Sequence, residues 1–143
     1  MNAHAEIVLV PYDGSDNSKR ALEYAIALAR RTGEELHILN VQTPLSGDVS
    51  GFVGSANVKQ YHHDEGEKVL ARAMRKAAAA GITAHKHIGV GQPGPVIGEF
   101  AEQLNCTHIV MGTRGLGSAL GALLGSVASH VVGLVKVPVT LIK

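Results

Sequence analysis

The sequence predicts an α/β fold, a five-stranded parallel sheet with helices on both faces in a three-layer open sandwich, and three observations predict it. Five short apolar runs are separated by four stretches whose apolar residues recur at three and four positions. Strand-like and helix-like patterns alternate along the whole chain, the order that joins parallel strands through helical crossovers. The runs are also apolar almost throughout, as strands covered on both faces must be.

Each element has its own signal. Residues 6–10, Glu-Ile-Val-Leu-Val, read as strand one, and Ser15 or Asp16 then caps a helix with Leu22, Ala25, Ile26 and Ala29 on one face and Gly33 as its stop. Residues 35–41 are strand two. Residues 42–56 mix Pro44 with glycines and serines and read as a long loop near a strand end. A helix over 58–80 carries Val69, Ala73 and Ala77 on one stripe, with Gly66 as an internal weak point costing about 1 kcal/mol relative to alanine. Strand three is 83–90, and Pro95 opens a helix with Ile97, Phe100, Ala101 and Leu104 on its face. Strand four is 107–111, the last helix runs from Ser126 to about Val135, and strand five is 138–142. Neither a repeat nor a linker interrupts residues 1–143, which read as a single domain.

Composition excludes several classes. A chain of 143 residues buries about 68–70% of its unfolded surface and needs no staple. Charged residues make up 17% and the formal charge is +1, so no broad cationic face for nucleic acid is expected. Cys106 is the single cysteine, which forbids an intrachain disulfide and reads as a small buried hydrophobe. No basic, apolar leader pattern opens the chain and no apolar run reaches the roughly 18 residues of a membrane helix, so the expectation is a cytoplasmic protein without a membrane partner.

The chemistry concentrates in residues 108–127, where strand four opens into a glycine-dense loop that closes on a helix start. Gly112, Gly115 and Gly125 let backbone approach a ligand, and the amides of the following helix supply N–H groups and a positive dipole end. Phosphate is the guest such a loop fits, with Ser126 at the N-cap position. A mobile surface turn is the alternative. Gly121-Ala-Leu-Leu-Gly125-Ser126 lacks the lysine of a P-loop. In open α/β sheets ligands sit beyond the carboxyl ends of strands where strand order reverses. Asp13, after strand one, and Gly112, after strand four, share a crevice in the order 3-2-1-4-5; the order 2-1-3-4-5 separates them, and periodicity leaves both open.

Taken together, Gly112-Thr-Arg-Gly115, nine residues, then Gly125-Ser126 resembles the nucleotide-binding signature of the universal stress protein family. The resemblance spans the chain, from Ile7-Val-Leu-Val-Pro-Tyr-Asp-Gly-Ser15 to the closing Val137-Pro-Val-Thr-Leu-Ile142. It implies strand order 3-2-1-4-5, an adenine nucleotide (ATP, ADP or AMP) as ligand, Mg²⁺ held through the phosphates, and a homodimer through the strand from Val137 to Ile142. By position, Asp13 would bond the ribose with Pro11 and Tyr12 at its edge. Val41 would offer backbone to adenine, and Met111 and Gly112 would flank base and sugar. The phosphates would lie over Gly115, Gly125, Ser126, Val127 and Ala128, within reach of Arg114. Asp13 also suits a turn or helix-entry role.

Two further signals are set aside. Gly89-Val-Gly-Gln-Pro-Gly94 matches a dinucleotide pattern literally but lacks the acidic residue about 20 positions on. Among eight histidines, His62 and His63 are adjacent and His85 and His87 share a strand face; polar faces account for them, and no protein metal site is expected. The functional expectation is a nucleotide-binding stress protein acting as regulator or sensor. A slow ATPase or adenylyl-transfer enzyme at the same pocket and a nucleotide-free dimeric scaffold are the alternatives, and no catalytic residue is assigned.

Overall fold

A computed structural model describes residues 5–45, 54–114 and 124–143. Its elements are β1 (Ile7–Pro11), α1 (Asp16–Thr32), β2 (Glu35–Gln42), α2 (Ser55–Ala79), β3 (Ala84–Val90), α3 (Pro93–Gln103), β4 (His108–Gly112), α4 (Ser126–Leu134) and β5 (Val139–Ile142). All four strand pairings are parallel, in the order β3-β2-β1-β4-β5. That order makes β1 and β4 neighbours, and excludes the arrangement that would have separated Asp13 from Gly112.

Side-chain alternation divides the core into two layers. Val8, Val10, Leu36, Ile38 and Val110 face α1 and α2, where Leu22, Ala25, Leu70 and Ala73 meet them. Leu9, Leu39, Ile109 and Met111 face the other way, onto Ile97, Ala101, Ala128 and Val131 of α3 and α4. Cys106 is buried in this second layer as expected, and burial pushes its thiol pKa up. No described helix is long and apolar enough to cross a membrane.

The helices begin where local chemistry permits. Ser15 caps α1, its side chain accepting from Ser18 N, and Gly33 closes the helix in the left-handed region. Two helices start earlier than their patterns suggest. Helix α2 begins at Ser55, inside the stretch read as loop, and α3 at Pro93, with Gln92 as its N-cap. A proline at the first helical position loses no intrahelical bond, so Pro93 opens the helix as well as Pro95 would.

Glycines that look weak or motif-like in sequence are packing residues. A Cβ on Gly66 would lie 2.8 Å from Ile88 Cδ1, so α2 owes its approach to β3 to the missing side chain. Gly89 and Gly94 are held likewise, the first under Val96 and Phe100 and the second against His130. This accounts for two glycines of the dinucleotide-like pattern without a ligand.

The histidines also depart from expectation. His62 is 3% exposed and neither ring nitrogen has a hydrogen-bond partner among the described residues, while His37 of β2 is buried beside His85 and His87 of β3. Burial, with the neighbouring His37 and His85, holds the His87 pKa below its ordinary value.

Alanine at Gly66 should gain about 1 kcal/mol of helix propensity and lose roughly 1–3 kcal/mol to overpacking against Ile88. Chemical denaturation of Gly66→Ala should therefore show a net loss of about 1 kcal/mol; a stabilised variant would mean that α2 is free to move off the sheet.

Candidate functional site

The site is built from the ends of β1, β2 and β4. Where β1 stops, Tyr12 N donates to the Leu39 carbonyl (2.8 Å) and Asn40 Nδ2 donates to the Tyr12 carbonyl (2.9 Å), which fixes the exit of the chain. Gly14 follows at φ 83°, a conformation that side chains resist, and the turn it makes lets Ser15 N donate to Asp13 Oδ1 at 2.9 Å. Asp13 thus performs the turn role that the sequence allows. The Tyr12 ring packs into the α1 and α2 layer, and burial pushes its hydroxyl pKa up, so the phenol stays neutral.

Asn17, buried at the start of α1, ties three segments together. Its Nδ2 donates to the Ile142 carbonyl at the end of β5 (2.7 Å), while its Oδ1 accepts from Arg114 N (2.6 Å) and Thr113 Oγ1 (3.3 Å) beyond β4. Thr113 N donates to the same Ile142 carbonyl at 2.9 Å. Gly112 is required for this contact, because a Cβ there would sit 2.6 Å from Asn17 Oδ1 and 3.1 Å from the Asn17 backbone carbon.

On the far side of the glycine loop, Gly125 N donates to the Thr113 carbonyl at 2.7 Å, so the two ends of that segment meet. Gly125, not Ser126, is the N-cap of α4, and no side chain caps it. The expectation for Ser126 is corrected by one position: its φ and ψ are already helical, because the extended conformation of an N-cap falls on the preceding glycine. The amides of Ser126, Val127 and Ala128 thus open the helix without intrahelical acceptors.

These parts enclose one cavity of about 680 Å³. Pro11, Tyr12 and Asp13 line it from β1, Val41 from β2, and Met111, Gly112 and Arg114 from β4 and its exit. Gly125, Ser126, Val127 and Ala128 complete the opposite wall. Eleven of the twelve residues expected at a site therefore border this cavity; Gly115 lies outside the described residues. Val41 owes its place to strand lengths. Leu39 turns its carbonyl to β1, Val41 faces the same way by alternation, and β1 pairs no further than Leu39, so Val41 presents backbone N–H and C=O toward the crevice.

A cavity at the β1/β4 crossover, with a carboxylate on one rim and a helix start on the other, matches a known family over nearly the whole chain. The model for "Universal stress protein family" aligns with residues 4–143. The chain belongs to the universal stress protein family. Universal stress protein YxiE of Bacillus subtilis is 33% identical over 144 residues, an alignment covering 95% of this chain and 97% of that one. A universal stress protein solved in complex with cAMP is 30% identical, with 99% of both chains covered and a TM-score of 0.74. The universal stress protein from Archaeoglobus fulgidus solved in complex with dAMP is 25% identical, with 98% of both chains covered and a TM-score of 0.73.

Within this family fold, sequence reasoning missed Asn17 and Asn40. Both are buried amides next to ordinary helix or strand signals, and only the sheet order reveals that each bridges two strand ends. Replacing Asn17 with alanine should orphan the Arg114 amide and withdraw a donor from Ile142, costing about 1–3 kcal/mol. Calorimetric unfolding of Asn17→Ala should show a clear drop in Tm; an unchanged Tm would mean that water substitutes for the side chain.

Proposed function

We propose that this universal stress protein binds an adenine nucleotide (ATP, ADP or AMP) in the cavity between β1 and β4, and acts as a cytoplasmic regulator or sensor. One observation carries the reading: Asp13 and the first residues of α4, whose amides have no intrahelical acceptor, line one cavity. A nucleotide has hydroxyls that a carboxylate accepts from and, a few ångströms away, phosphates that helix amides and an arginine bind. The volume falls in the range of about 300–1,000 Å³ usual for small-molecule sites. The relatives solved with cAMP and dAMP support the same ligand class.

In this arrangement adenine lies over Val41 and Met111 and takes hydrogen bonds from the Val41 backbone, while Pro11, Tyr12 and Gly112 shape the ribose pocket. The phosphates reach Ser126, Val127 and Ala128, with Arg114 and Gly115 on the loop side, and bring Mg²⁺ with them. Gly125 contributes closeness, not a donor, because its own amide is already spent on Thr113. A partner reads nucleotide binding only to the extent that the free and bound proteins differ in affinity for it.

Asp13→Asn keeps an acceptor for Ser15 N while removing the charge, so it separates the ligand from the turn. Losing a charged hydrogen bond of about 1.5–3 kcal/mol should weaken nucleotide affinity roughly 10–150-fold by isothermal titration. Equal affinity in Asp13→Asn, or no ATP, ADP or AMP binding by the wild-type chain, defeats the proposal. Gly125→Val should abolish binding with the fold retained.

A homodimer through β5 completes the proposal. Ile109 N donates to the Pro138 carbonyl and Thr113 N to that of Ile142, so alternation turns the backbone of Val139 and Leu141 away from β4, at the sheet edge. Such an edge is a template for a second strand. Proline at Val139 removes an outward donor, and sedimentation should then report one chain where the wild type reports two; a monomeric wild type would remove the dimer from the proposal.

A further inference from the structure

At the opposite end of β2 and β3 from the cavity mouth, three side chains with no role in the nucleotide reading converge. His37 and His85 are direct partners in the parallel register, so they project from the same face of the sheet. Their rings stack with centroids 4.5 Å apart. Glu35, two residues before His37 and therefore on that face, brings Oε1 to 3.2 Å from His37 Nε2 and 3.7 Å from His85 Nε2. Lys86 points to the other face, where it pairs with Glu67 at 2.7 Å, and leaves the carboxylate to the imidazoles.

We propose that Glu35, His37 and His85 form a binding site for a divalent d-block cation of the zinc class. Among the described residues, one ligand atom from each lies within 4.8 Å of the others. Tetrahedral zinc holds nitrogen and oxygen ligands at about 2.0–2.1 Å, which places them roughly 3.3 Å from one another. The 3.2 and 3.7 Å separations bracket that spacing, and because the two rings stack at 20°, the half-exposed His85 imidazole must turn out of the stack for both Nε2 lone pairs to meet on one ion, a side-chain rotation that leaves the backbone in place. Two imidazoles and one carboxylate suit zinc, copper or nickel better than magnesium or calcium, which take oxygen ligands.

The surroundings fit the same role. His37 is buried, which anchors the site, while the side chains of Glu35 and His85 are 42% and 48% exposed and leave a route for the ion and a fourth position for water. His37 Nδ1 lies 2.8 Å from His87 Nε2. With a cation at Nε2, the Nδ1–H of His37 donates to His87, the outer hydrogen bond that fixes tautomer and ring orientation at metal-bound histidines. His87 is thus a positioning residue, held in turn against Phe100 of α3.

The test is a zinc titration of the full, tag-free, metal-free and nucleotide-free chain against a chromophoric chelator. The wild type should take up one zinc per chain. Glu35→Gln and His85→Ala, both at half-exposed positions where folding tolerates change, should each weaken that binding at least tenfold with far-ultraviolet circular dichroism unchanged. His63→Ala and Asp13→Asn should leave it intact, the second because the nucleotide cavity is a separate place. Wild-type protein that fails to bind zinc saturably, or Glu35→Gln and His85→Ala variants that bind as the wild type does, overturns the proposal while leaving the nucleotide reading untouched.

Discussion

The carbonyl of Ile142 and the side-chain amide of Asn17 are the junction on which the rest of the site depends. Through them the start of α1, the exit of β4 and the end of β5 share one set of hydrogen bonds, though residues 17 and 142 stand at opposite ends of the chain. A buried amide with its donor and acceptor both engaged is costly to displace, since every alternative leaves a polar group unpaired. The junction therefore does for β4 what Tyr12, Leu39 and Asn40 do for β1: it sets the point at which each strand stops pairing. The crevice is the space those stops leave.

That dependence explains which residues were legible in the sequence. Strand runs, the Ser15 cap and the Gly33 stop follow from local rules, and local rules were enough to place all nine described elements in order. Asp13 and the Gly125-Ser126 step were legible because strand ends advertise themselves through glycine and acidic residues. What Asn17 does was not, because its partners are separated from it by 97 and 125 positions, and nothing near Asn17 signals them. The Ser126 cap was misplaced by one residue: serine is the commoner N-cap, but here the extended residue that precedes the helix is Gly125, its amide donating to the Thr113 carbonyl.

Gly66 and the histidines fail to declare themselves for the same physical reason on different elements. Helix propensity treats Gly66 as a defect, yet the packing of α2 on Ile88 makes its missing Cβ the feature that sets the interlayer distance. His85 and His87 look like a polar strand face until β2 is laid beside β3, when the register brings up His37 and carries Glu35 with it. Period-two alternation identifies which residues of one strand share a face, whereas the neighbouring strand decides what that face touches.

The two ends of the sheet consequently carry different chemistry on one scaffold. At the carboxyl ends, strands of unequal length leave backbone groups and a helix start facing a cavity, which favours an extended anionic guest over a bare cation. Toward the amino ends of β2 and β3 the cluster lies on a face of the sheet, where only side chains project; a ligand there must be small enough to be held by two or three of them. Backbone-lined space suits a nucleotide and side-chain clusters suit an ion, and in a parallel sheet the staggered strand ends decide where each kind of space forms.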